Sequence, residues 1–90
     1  MFYVYVLRSK TTNKCYTGYS SDLKERLRDH FSHSVHTTKR MGEMKLIFYE
    51  AYLSENDARR RELYLKTTKG KRTLKLMLED YFKSEPVAIV

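Results

Sequence analysis

Ninety residues hold one small domain and exclude a second, since a chain this short buries only about 60–65% of the surface it exposes unfolded. A composition of 41% hydrophobic and 32% charged residues, with 3 Gly and 1 Pro, excludes disordered and fibrous classes. The formal charge of +7, from 18 Lys+Arg against 11 Asp+Glu, favours a polyanionic partner such as nucleic acid over a merely soluble basic protein.

A single cysteine, Cys15, can neither close an internal disulfide nor build a multi-cysteine metal site, which suits a reducing, cytoplasmic setting. No apolar run approaches the roughly 18 residues of a membrane span. The opening segment carries no basic leader, so neither signal peptide nor anchor is expected.

In chain order, the β-branched and aromatic run Phe2 to Leu7 predicts a strand. Polar Ser9 to Lys14 then turns the chain into a second strand, about Cys15 to Tyr19, as an antiparallel hairpin. Asp22 with Glu25 three residues on caps an amphipathic helix whose inward stripe is Leu23, Leu27 and Phe31. Ser32 to Glu43 has no period and reads as a loop. Lys45 to Leu53 is the strongest strand, Ser54 caps a second helix running to about Thr67, and Gly70 marks a break. Leu74, Met77, Leu78 and Tyr81 predict a third helix that ends before Pro86. The class is therefore α+β, with helices covering a small three-stranded sheet in one domain over residues 1–85 and a frayed tail over 86–90.

The charge is concentrated. Between Arg59 and Lys75 lie Arg59, Arg60, Arg61, Lys66, Lys69, Lys71, Arg72 and Lys75, opposed only by Glu62, so this window carries the whole net charge and the remainder balances. A solvated helix face would intersperse acids at four-residue spacing, so these eight are candidate phosphate contacts.

At 100° per residue from Ala58, Glu62 falls near about 40° and Leu65 near about 340°, which puts this carboxylate on the inward face of its helix. It is either a salt-bridge partner of Arg59 or Lys66, or a hard oxygen ligand for a divalent cation at the rim of a basic cleft. On the first helix, Arg26 and His30 lie one turn apart beside the Leu23–Leu27 stripe and point at the sheet. A histidine so placed is either a satisfied core residue or a working one.

Eight tyrosines are many for this length. Period two puts Tyr3 and Tyr5 on one face of the first strand, and Tyr16 and Gly18 on one face of the next. They are either ordinary strand residues with hydroxyls at a sheet edge, or one part of a phosphodiester-cleaving constellation with Arg26, His30 and Glu62.

The order Tyr3-Val4-Tyr5, Tyr16-Thr17-Gly18, Lys24 to His30, Leu46 to Glu50 and Ala58 to Lys66 resembles the GIY-YIG nuclease superfamily over about residues 2 to 82. The nearest likeness is to small standalone bacterial members, similar to the N-terminal domain of the excinuclease C subunit. Val4 and Thr17 stand where the family triplets have isoleucine, and Tyr3 where the first has glycine. The resemblance implies a three-stranded antiparallel sheet flanked by about three helices and a Mg²⁺- or Mn²⁺-dependent endonuclease. By position it implies Tyr5 and Tyr16 as the motif tyrosines, Arg26 as the catalytic arginine, His30 one turn after it, and Glu62 as the metal-binding glutamate.

In the mechanism these assignments suggest, Tyr5 takes the proton of the attacking water, its pKa lowered by the nearby ion and by His30 as acceptor. Tyr16 orients the phosphate and Arg26 stabilises its charge, although the two tyrosines could exchange roles. The expected partner is nucleic acid, DNA before RNA. The rival reading is a non-catalytic binding module that uses the window 59–75 and tyrosine stacking. Strandedness, sequence specificity, oligomeric state and any role of His33 or His36 are left open by the residues.

Overall fold

The computed structural model describes residues 1–32 and 42–84. Its elements are β1 (Phe2–Ser9), β2 (Cys15–Ser20), α1 (Leu23–Phe31), β3 (Met44–Tyr52), α2 (Glu55–Leu65), α3 (Thr68–Met77) and α4 (Glu79–Ser84). The three strands form one antiparallel sheet in the order β2-β1-β3. The α+β expectation holds, with four helices among the described residues where about three were expected. His33, His36 and the tail 86–90 lie outside the described residues.

β1 is central because its apolar residues alternate without a polar gap, so both faces have something to bury. Val4 and Val6 pack with Ala58, Leu65 and Leu74 on the side of α2 and α3. Tyr5 and Leu7 pack with Met44, Leu23 and Leu27 on the side of α1. The hairpin register pairs Tyr5 with Gly18 and Leu7 with Tyr16. Ser9 closes the turn: its Oγ accepts from the backbone N–H of Thr11 (3.2 Å) and Thr12 (3.1 Å), while Asn13 takes the left-handed conformation at φ 63°.

Three local expectations are corrected. Phe31 is 47% exposed, since it lies about 80° round the helix from Leu23, and His30 takes the inward position instead. Gly70 is not a break but a buried residue inside α3. Thr67 is the cap: its Oγ1 accepts from Gly70 N–H at 3.0 Å and donates to the Tyr64 carbonyl at 2.6 Å. A Cβ at position 70 would collide with the Tyr64 carbonyl and the Leu65 Cα, so glycine is what lets α3 start against the end of α2. The expected third helix is also split at Leu78, whose N–H closes α3 onto the Leu74 carbonyl before α4 begins.

Candidate active site

Tyr5 sits in the middle of the central strand and is fully buried. Its ring lies over Gly18, directly across the ladder, and a Cβ there would land on the ring and hydroxyl of Tyr5. The glycine thus leaves the space that the tyrosine fills.

The chain leaving β2 is fixed by two side chains. Ser20 Oγ accepts from Asp22 N–H (2.9 Å), and Asp22 caps α1 by accepting from Glu25 N–H (3.1 Å). This sets the rotation of α1, which turns Arg26 and His30 onto Tyr5. The Tyr5 hydroxyl and His30 Nε2 are 2.7 Å apart, and the Arg26 guanidinium, one turn before His30, acts on the same tyrosine through its charge. Tyr16 completes the group, its ring centroid 5.2 Å from that of His30 and 6.4 Å from that of Tyr5.

Burial sets the charges. Desolvation pushes the Tyr5 hydroxyl up to about 12, with the Tyr16 and Glu62 charges adding to it, against the lowering effect of Arg26. The expectation of a lowered Tyr5 thus has the opposite sign in the protein alone. Burial, helped by the Arg26 charge, pulls His30 below its ordinary 6.5. At neutral pH the pair is a neutral phenol and a neutral imidazole. The Tyr5 hydroxyl donates to His30 Nε2 in the tautomer that carries its proton on Nδ1, and accepts from Nε2 in the other.

Glu62 approaches from α2, close enough for its charge to act on Tyr5. Its side chain is 16% exposed and is paired with Lys66 Nζ at 2.9 Å, as the salt-bridge reading expected. No cluster of three or more His, Cys, Asp or Glu that would hold a metal occurs among the described residues. One half-buried carboxylate nonetheless fits Mg²⁺ or Mn²⁺, hard ions that keep several waters and take one or two carboxylates plus substrate phosphate.

The basic window is divided. Arg59 pairs with Glu55 (3.3 Å), Arg60 with Asp57 (3.0 Å), Arg61 with Glu50 (2.8 Å) and Lys66 with Glu62. Lys69, Lys71, Arg72 and Lys75, all exposed on α3, have no acidic partner among the described residues. The ties to Glu55 and Asp57 follow helical spacing and were readable in sequence. Arg61 to Glu50 crosses from helix to strand and was not.

Residues 1–75 match the profile of the GIY-YIG catalytic domain. The chain belongs to the GIY-YIG family. That family is one of nucleases that generally use divalent metals. The chain is 30% identical to a UPF0213 protein of Clostridium perfringens over 94% of its own length and 91% of the relative's. It is 32% identical to a UPF0213 protein of Staphylococcus haemolyticus over 86% and 94% of the two chains. A UPF0213 protein of Staphylococcus saprophyticus is 30% identical over the same shares. No solved structure matches the chain. Tyr3-Val4-Tyr5 and Tyr16-Thr17-Gly18 lie on the paired strands β1 and β2. No helix among the described residues is long and apolar enough to cross a membrane.

Proposed function

We propose that this GIY-YIG domain is a divalent-cation-dependent endonuclease that hydrolyses phosphodiester bonds in nucleic acid, DNA before RNA. The observation that carries the reading is the buried Tyr5–His30 hydrogen bond, with the Arg26 charge acting on the same tyrosine. A free phenolate with a pKa of about 12 would be present in about one molecule in 10⁵ at pH 7, too few to serve as the base. A relay avoids it: Tyr5 accepts the proton of the attacking water as its own proton passes to His30 Nε2. The water oxygen bonds to phosphorus, the bond to the leaving 3′ oxygen breaks, and His30 is left as imidazolium. Arg26 would stabilise the charge gathering on the phosphate, and the Tyr16 hydroxyl would hold a non-bridging oxygen in place.

Glu62 would hold Mg²⁺ or Mn²⁺, which supplies Lewis-acid stabilisation at the phosphate and the leaving oxygen. For Glu62 to do so, Lys66 must let go of it. The four unpaired cations of α3 would contact phosphates.

The test is a cleavage panel of single- and double-stranded DNA and RNA, with Mg²⁺, Mn²⁺ or chelator, for the wild type, Glu62→Ala and Arg26→Ala. The expected result is metal-dependent cleavage that each substitution lowers by about 10²–10³. Tight, metal-independent binding with no turnover on any substrate would establish the non-catalytic binding module instead.

A further inference from the structure

Arg8 is a basic residue in the most buried strand of the sheet. It pairs with Cys15 across the hairpin, on the face opposite Leu7 and the Tyr5 cluster, and is only 7% exposed. One guanidinium nitrogen reaches the Tyr81 hydroxyl at 3.4 Å, and the guanidinium carbon lies 5.0 Å from the centroid of Phe82. Its Nε is buried without a hydrogen-bond partner, and no carboxylate pairs with Arg8 among the described residues.

A cation taken out of water normally brings an opposite charge with it, because an unpaired buried charge is costly. The guanidinium instead lies against the rings of Tyr81 (5.7 Å) and Phe82 (5.0 Å), and the charged side chains beside it in the cavity are all cations. Lys14, Lys71 and Lys75 line the same cavity, of about 500 Å³, whose apolar wall includes Leu74 and Phe82. An anion lying among these four cations, which come from a strand, a turn and a helix, would offset their mutual repulsion. A tetrahedral oxyanion can accept from all four, which a two-oxygen carboxylate does less well. The apolar wall beside this cationic rim suits a ligand that is anionic at one end and flat and apolar at the other.

We infer that this cavity is a nucleotide-phosphate site, distinct from the Tyr5 cluster and on the other face of the sheet. The phosphate lies among Arg8, Lys14, Lys71 and Lys75, and the base rests on Leu74 and Phe82. A free nucleotide and one nucleotide unit of a bound strand offer the same chemistry. The site shares Lys71 and Lys75 with the phosphate contacts of the proposed function, but it does not depend on cleavage.

Cys15 lines the same cavity and is exposed, so its alkylation by neutral N-ethylmaleimide reports occupancy. Adenosine monophosphate, inorganic phosphate and a short oligonucleotide without terminal phosphates are each titrated at constant ionic strength. The expected result is saturable slowing, with the midpoint weakened about tenfold or more in the Lys71→Ala/Lys75→Ala variant, whose replaced side chains are exposed. Glu62→Gln should leave the midpoint unchanged, so failure of this site and failure of the nuclease reading are told apart. Protection by the two small ligands identifies a free nucleotide; protection by the oligonucleotide alone identifies a strand contact. Alkylation indifferent to all three, or slowed equally in the double variant, overturns the inference.

Discussion

The Tyr5 hydroxyl lies 2.7 Å from His30 Nε2, and both side chains are fully buried. Because burial raises the phenol and lowers the imidazole, neither carries charge at neutral pH. Their hydrogen bond thus joins two neutral groups, which is the starting state that the proposed relay requires.

Cleavage should need His30 in its neutral form, so the acid limb of kcat/KM is expected to have its midpoint below 6.5. Tyr5→Phe should lower the rate by about 10²–10⁴, the usual range for loss of a general base. Rates measured from pH 5 to 8 check both. A limb centred above 6.5, or full activity in Tyr5→Phe, would exclude the relay.

His30 also ties stability to pH. Its pKa is lowered on folding, so on acidification the unfolded chain takes up this proton first. Its contribution is complete above the unfolded value of 6.5 and is lost as pH falls below it. Urea denaturation at several pH values should show wild-type stability falling below pH 6.5 by no more than about 1.4 kcal/mol per pH unit from this group. His30→Gln should remove that part of the slope; equal slopes in the two proteins would show that His30 is not protected from protonation by the fold.

Much of this site was legible in the sequence because it rests on short-range geometry. Period two placed Tyr5 opposite Gly18's strand, and period 3.6 placed Arg26 and His30 on one side of α1. What was not legible depends on contacts between elements. Gly70 looked like a helix breaker because its neighbour across space, the Tyr64 carbonyl, is set by how α2 meets α3. The setting of Arg8 likewise depends on α4, which brings Tyr81 and Phe82 against it. The sign of the Tyr5 shift depends on burial from three elements at once, which no local pattern encodes.

Gly70→Ala gives a direct test of that helix junction. In an open helix the change would stabilise by about 1 kcal/mol. Here the added methyl meets backbone, which cannot rotate away, so a loss of about 1–3 kcal/mol is expected. A raised Tm in Gly70→Ala would mean that α2 and α3 do not meet as described.

In the proposed function Lys66, paired with Glu62 at 2.9 Å, would compete with the cation for that carboxylate. An i,i+4 pair is worth about 0.3–0.5 kcal/mol, so Lys66→Ala should lower the Mn²⁺ midpoint for activation about twofold at low salt, with the difference closing as salt rises. Lys66→Arg should keep the wild-type midpoint. An unchanged midpoint in Lys66→Ala would show that the pair does not gate access to the carboxylate.

Salt dependence should separate the two halves of the basic window. Each duplex phosphate neutralised contributes about −0.9 to the slope of log affinity against log salt. Lys69, Lys71, Arg72 and Lys75 would together contribute about −3.6, whereas all eight basic residues would contribute about −7. Binding is best followed by fluorescence anisotropy in a Glu62→Gln background, so that cleavage does not interfere. Arg72→Ala should make the slope shallower by about 0.9, while Arg60→Ala, whose charge already meets Asp57, should change it by less than half as much. Equal effects of the two substitutions would mean that the pairs on α2 open when nucleic acid binds, and the eight-residue surface expected from sequence would then be the right one.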